Sequence, residues 1–117
     1  MADGGWVSTH QDITEERRTE ARIRHLARHD ALTDLPNRMA FNECMAMAEN
    51  RIARGEMVAL LFIDLDFYKT VNDIYGHAIG DAVLVRVASR LRQSCRQDDV
   101  VARLGGDEFA ILHGPLR

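Results

Sequence analysis

The chain has 117 residues, of which 46% are hydrophobic and 28% charged, an ordinary balance for one globular domain with a modest core. A formal net charge of −3 argues against a broad basic surface for nucleic acid, so a phosphate-bearing ligand must be held by local geometry, backbone amides or a metal ion. No apolar run approaches the roughly 20 residues of a membrane span and no signal-peptide pattern opens the chain, so a cytoplasmic location is expected.

In chain order, residues 1–13 carry Gly4-Gly5-Trp6-Val7-Ser8-Thr9-His10-Gln11-Asp12-Ile13, a pattern that predicts a short strand after a glycine turn. This strand has no evident partner. Residues 14–29 then predict a helix, with Thr14 as N-cap and the early acids Glu15 and Glu16 suited to its positive end. Ile23, Leu26 and Ala27 form only a thin apolar stripe among arginines, which suits a linker or coiled-coil contact better than a core helix. His25 and His29 have the i, i+4 spacing of a zinc pair, but no further ligand is indicated, and exposed linker histidines are the favoured reading.

After Leu35-Pro36 a second helix is predicted over roughly Asn37 to Arg54, closed by Gly55. Met57 to Ile63 lacks polar alternation and predicts a central strand covered on both faces. Helices follow from about Phe67 to Gly76 and from about Asp81 to Cys95. In the latter, Val83, Leu84, Val87, Ala88 and Leu91 repeat at helical spacing. Val100 to Leu104 and Glu108 to Leu112 read as two strands joined through Gly105-Gly106-Asp107. The order implies an α/β domain with helices packed on a sheet. Cys44 and Cys95, both in helical segments, are expected to pack as small apolar side chains in a reducing compartment.

Asp64 directly follows the apolar strand and should emerge at its C-terminal end, where ligand crevices form in α/β sheets. Asp64 and Asp66 either bind a hard cation or merely end the strand in a turn. In the next helix Phe67, Val71 and Ile74 share a face that should be buried, leaving Lys69 and Asn72 as neighbours elsewhere. Lys69 suits a phosphate and Asn72 suits a base edge. Asp81, taken alone, is better read as an N-cap. Gly105-Gly106 lets a ligand approach the backbone closely, and one of the adjacent acids Asp107 and Glu108 can face Asp64. Two acids keeping a hairpin soluble is the plain alternative. Carboxylates from two separate segments are what magnesium-assisted phosphoryl transfer needs.

Arg103-Leu104-Gly105-Gly106-Asp107-Glu108-Phe109 resembles the signature of the GGDEF family, the diguanylate cyclases. Asp30-Ala31-Leu32-Thr33-Asp34-Leu35-Pro36-Asn37-Arg38 is similar to the family's entry motif. Asp64-Leu65-Asp66-Phe67-Tyr68-Lys69, Val71-Asn72-Asp73, Gly76-His77 and Gly80-Asp81 follow in the family's order and spacing. The resemblance covers residues 30–117 and implies a GGDEF-type sheet flanked by helices, of the nucleotidyl-cyclase or palm-like kind, incomplete at the C-terminus. Residues 1–13 resemble the last strand of a PAS sensor domain, with 14–29 as a signalling linker helix.

The resemblance implies a module that condenses two GTP into cyclic di-GMP, each 3′-hydroxyl attacking the partner's α-phosphate within a homodimer. Asp64, the Leu65 carbonyl and Asp107 would hold Mg2+, with Mn2+ as an alternative. Backbone amides near Phe67 and Tyr68, with Lys69, would cradle phosphates, and the chain would approach the ligand closely at Gly105 and Gly106. Asn72 and Asp81 would read the guanine, which replaces the N-cap reading of Asp81. Glu108 would help activate the 3′-hydroxyl, with Asp107 as an alternative. Arg96 and Asp99 stand at the offset of the family's RxxD site and would bind cyclic di-GMP as an inhibitor. The alternative is a GTP- or cyclic di-GMP-binding regulatory domain of a larger GGDEF–EAL protein. Implied partners are GTP, cyclic di-GMP, a second copy and an N-terminal PAS sensor; nucleic acid and a membrane span are not expected.

Overall fold

The computed structural model describes the backbone of residues 2–116 and the side chains of residues 13–116. Its elements run α1 (Ala2–Arg28), α2 (Arg38–Ala53), β1 (Met57–Asp64), α3 (Tyr68–Tyr75), α4 (His77–Ser94), β2 (Val100–Gly105) and β3 (Glu108–Leu116). Among the described residues the strands form one antiparallel sheet in the order β1-β3-β2.

The sheet is covered on both faces because alternate residues of β2 and β3 point in opposite directions. Val101, Phe109 and Ile111 pack with Leu84 and Ala88 of α4, together with Leu35 and Leu65. Ala102, Ala110 and Leu112 pack with Phe41 and Ala48 of α2. Phe109 and Leu84 are fully buried. Burying side chains of this size contributes about 1.5–3 kcal/mol each. The helical spacing expected for Leu84, Val87, Ala88 and Leu91 is therefore the face that seats α4, and Cys44 and Cys95 are partly buried free thiols at the edges of the two clusters.

The end of α2 follows the expected chemistry. Gly55 has φ 92°, its N–H donates to the Ile52 carbonyl at 2.9 Å, and the Glu56 N–H donates to the Arg51 carbonyl at 3.1 Å. These paired bonds satisfy the last carbonyls of the helix, and the positive φ is why glycine stands there.

Five expectations are corrected. Where a strand is expected over 1–13, the described backbone is helical from Ala2 onward. A strand without a partner leaves its N–H and C=O groups unpaired, whereas a helix pairs its own. Thr14 consequently lies inside α1 and is not its N-cap. Among the described residues the middle strand is β3, not β1, which lies at the sheet edge with Leu60, Leu61 and Phe62 exposed. The face shared by Phe67, Val71 and Ile74 is largely open: Phe67 is 53% and Ile74 66% exposed, with Val71 half-buried. Helix α4 starts at His77, so Asp81 lies within its second turn and is not an N-cap. Gly76, with φ 90°, ends α3 and begins α4 at a single residue.

Side chains 13–28 of α1 are exposed. Its C-terminal end is nonetheless tied to the domain. Asn37 caps α2 by accepting the Ala40 N–H at Oδ1 (3.0 Å), while its own N–H and Nδ2 donate to the Arg28 and Ala27 carbonyls (2.9 and 2.8 Å). One residue, through its backbone N–H and its side chain, thus serves the last carbonyls of α1 and the first turn of α2. Arg28 pairs with Glu43 of α2. His25 and His29 stack with ring centroids 3.7 Å apart, and His25 Nε2 lies 2.6 Å from Asp34 Oδ1.

Candidate active site

β1 and β3 pair antiparallel so that Asp64, the last residue of β1, stands opposite Glu108, the first residue of β3. The turn before β3 brings Asp107 over the same end, and the Asp107 carbonyl accepts the Leu65 N–H at 3.3 Å. Asp107 is therefore the acid that faces Asp64. The Asp64 carboxyl is held above its ordinary value, first by its hydrogen bond to the Asp107 carboxyl and by that group's charge. Desolvation and the charges of Asp66 and Glu108 add to the effect. Glu108 has its own neighbour, Arg38 at the start of α2, 3.7 Å away and exposed.

The hairpin turn depends on two glycines. Gly106, at φ 48°, takes the left-handed conformation that the first central position of a two-residue hairpin turn demands. Gly105, at φ 148°, sits where a side chain would be strained. The turn is braced by Arg103, whose Nε and Nη2 donate to the Gly106 carbonyl at 3.1 and 2.8 Å. The Nη1 of the same guanidinium donates to both oxygens of Asp30 at 2.9 and 3.1 Å. Asp30 also accepts the Thr33 N–H and hydroxyl, each at 2.8 Å.

Helix α3 starts beside Asp64. Phe67 makes no side-chain cap bond, so the first turn presents backbone amides without a competing cap. The Tyr68 N–H already donates to the Leu65 carbonyl at 3.1 Å, which leaves that carbonyl one further lone pair. Lys69 and Asp81 are exposed, and Asn72 is half-buried at the α3–α4 contact. Arg96 and Asp99 lie away from this cluster, beyond the end of α4. There Asp99 accepts the Arg96 N–H at 2.9 Å and contacts His113 Nδ1 at 2.7 Å, its side chain only 3% exposed.

The structure thus brings Asp64, Leu65, Asp107 and Glu108 together at one sheet end, with α3 alongside. Sequence reasoning assigned no role to Asp30, Arg103 or Arg38, although all three stand inside the quoted motifs.

Residues 27–114 match the family described as diguanylate cyclase, GGDEF domain. The chain belongs to the GGDEF family. It is 50% identical over 97 residues to the diguanylate cyclase TpbB of Pseudomonas aeruginosa, covering 82% of this chain and 22% of that protein. It is 46% identical over 100 residues to the bifunctional diguanylate cyclase/cyclic di-GMP phosphodiesterase MucR of the same species, covering 85% and 15%. The crystal structure of the coiled coil and GGDEF domain of DgcB from Caulobacter crescentus, in complex with c-di-GMP, superimposes with a TM-score of 0.83 at 30% identity, covering 98% of this chain and 61% of that one. The chain therefore spans less than a quarter of the length of these two curated relatives. The GGDEF fold accounts for the sheet with helices on both faces. Among the described residues no helix is long and apolar enough to cross a membrane.

The GGDEF family's divalent metal can be tested against these groups. Asp64 and Asp107 are hard oxygen donors held so close that one carboxyl resists ionisation, and a dication would relieve that repulsion. Among the described residues no cluster of three or more His, Cys, Asp or Glu side chains is arranged to hold a metal. Two carboxylates and a carbonyl suit a hard divalent cation. The residues fit.

Proposed function

We propose that this module makes cyclic di-GMP from two GTP, each 3′-hydroxyl attacking the α-phosphate held by a second copy, with the α–β phosphoanhydride bond breaking and pyrophosphate leaving. The carrying observation is the juxtaposition of Asp64 and Asp107 at the end of the β1–β3 pair, next to the start of α3. Asp64, the Leu65 carbonyl and Asp107 would hold Mg2+ or Mn2+. When bound, that ion supplies charge neutralisation at the phosphates and lowers the pKa of a coordinated hydroxyl.

The remaining work belongs to the chain. The Phe67 amide, the first-turn amides of α3 and Lys69 hold phosphates. The Tyr68 amide is engaged with Leu65, so it contributes by fixing the turn. Gly105 and Gly106 allow the ligand to lie close to the backbone. Asn72 and Asp81 read the guanine. Glu108 accepts the 3′-hydroxyl proton, with Asp107 as the alternative acceptor. Catalysis then consists mostly of positioning and electrostatic stabilisation. Arg96 and Asp99 would take the product and restrain the enzyme. Residues 14–29 would act as the signalling linker to a PAS sensor, and residues 30–117 as the cyclase module.

The test is cyclic di-GMP formation from GTP and Mg2+ by this module, carried in a protein long enough to span a whole family domain. Product from the parent and none from Asp107→Ala or Glu108→Ala is expected. Equal product from either variant would overturn the corresponding assignment. The likeness to the cyclic di-GMP phosphodiesterases NbdA of Pseudomonas aeruginosa and PdeR of Escherichia coli favours a second reading, a regulatory nucleotide-binding domain beside a phosphodiesterase. Tight GTP binding without product would select it.

A further inference from the structure

Gly80 is a buried glycine inside α4, where glycine costs about 1 kcal/mol relative to alanine. Its φ is not positive, and its N–H makes the helical bond to the Gly76 carbonyl at 3.1 Å. The backbone conformation therefore does not call for glycine here. What the missing side chain supplies is room. A Cβ at this position would clash with Asn72 Oδ1 at 1.8 Å and lie 2.8 Å from Asn72 Cγ and 3.5 Å from Nδ2. The carboxamide of Asn72 is seated in the notch that the glycine leaves between α3 and α4.

The seat is not explained by stability. Asn72 Oδ1 is buried and has no hydrogen-bond partner among the described residues. A buried amide atom without a partner is unfavourable by about 1–3 kcal/mol, so this arrangement stabilises neither helix. A buried polar atom left without a partner calls for a reason other than stability.

We infer that Gly80 is a positioning residue for base recognition: by leaving a notch in α4 it fixes the Asn72 carboxamide in the orientation that selects guanine. The inference rests on the reading of Asn72 as a guanine contact and adds the residue that sets its geometry. The displaced atom is the free end of a side chain, so Gly80→Ala should fold, with the carboxamide swung out of its seat. Helix propensity then favours the variant, while base selection suffers.

The experiment measures binding of GTP and of ATP, each with Mg2+, to the chain and to Gly80→Ala, Asn72→Ala and the double variant, with thermal melts alongside. Gly80→Ala should weaken GTP binding roughly tenfold through the lost base contact, leave ATP binding unchanged and melt no lower than the parent. Asn72→Ala should do the same to binding, and the double variant should be no weaker than Asn72→Ala alone. GTP binding by Gly80→Ala equal to the parent's would overturn the inference while leaving Asn72 as a guanine contact. So would a double variant weaker than both singles, or a Gly80→Ala chain that melts far below the parent. An Asn72→Ala chain that still prefers GTP, or a parent that binds GTP no better than ATP, would remove the guanine assignment and this inference with it.

Discussion

Arg103 Nη1 lies 2.9 Å from Asp30 Oδ1, although 73 residues separate them, and the same guanidinium holds the Gly106 carbonyl through its other nitrogens. The loop after α1 is thereby joined to the turn that carries Asp107. Both side chains are largely enclosed, so removing one leaves the other unpaired and partly desolvated. Asp30→Ala should lower stability by about 1–3 kcal/mol in urea unfolding. A cycle with Arg103→Met should return a coupling above about 0.5 kcal/mol. Additive losses would mean that the two ends are braced independently.

The same pair predicts an acid response. Burial tends to raise the Asp30 pKa, but the Thr33 N–H and hydroxyl and Arg103 outweigh it and hold the carboxyl below its usual value. A depressed folded pKa gives stability that is fully present above the unfolded value of about 3.9 and is lost as pH falls through the folded one. Acid unfolding of the parent should therefore steepen below pH ~4, and Asp30→Asn should flatten it. An unchanged acid limb in the variant would show that other carboxylates govern it.

Asp64 has the opposite sign. Its raised pKa means that folding binds a proton more tightly, so the carboxyl opposes folding above its folded value and this penalty is relieved as pH falls. Asp107→Asn removes the first-named cause. It should bring the Asp64 titration down in carboxyl-carbon NMR and raise the melting temperature at neutral pH, while abolishing Mg2+-dependent GTP binding. A variant that melts lower than the parent would show that the Asp107 carboxylate supports the turn more than it repels Asp64.

Much of this arrangement was legible before any coordinates. The apolar run ending at Ile63 placed Asp64 at a strand end, Gly55 marked the close of α2, and Gly105-Gly106 marked the hairpin that aims Asp107. Pairing order was not legible, because Leu60-Leu61-Phe62 and Phe109-Ala110-Ile111-Leu112 are equally continuous in apolar character and periodicity does not say which strand lies between the others. The spacing of Phe67, Val71 and Ile74 showed which residues share a face but not what covers it. The contacts of Asp30 with Arg103 and of Gly80 with Asn72 join separate motifs and need the tertiary fold to appear.

Asp99 and Arg96 should separate into a structural and a ligand-facing role. Burial pushes the Asp99 carboxyl up, but the Arg96 N–H, His113 and the Gly114 N–H together hold it below the usual range. The Arg96 side chain is exposed, and its bond to Asp99 comes from the backbone. Arg96→Ala should therefore change stability by less than about 0.5 kcal/mol while weakening cyclic di-GMP inhibition roughly tenfold. Asp99→Ala should lose both, with a stability cost of about 1–3 kcal/mol. Inhibition constants beside urea melts make the comparison. Unchanged inhibition in Arg96→Ala would remove the inhibitory assignment from this turn.

Strand β1 presents a different hazard. Among the described residues it lies at the sheet edge, and Phe62 is 67% exposed beside the exposed Leu60 and Leu61. An open edge with apolar side chains is a template for pairing with another strand, whereas lysine on such an edge discourages it. Sedimentation should find this chain heavier than a monomer at high concentration. Phe62→Lys should return it toward monomer without lowering its melting temperature appreciably, because an exposed position tolerates the change within about 0.5 kcal/mol. A parent that sediments as a clean monomer at high concentration would mean that the exposed edge is too short or too twisted to recruit a second copy.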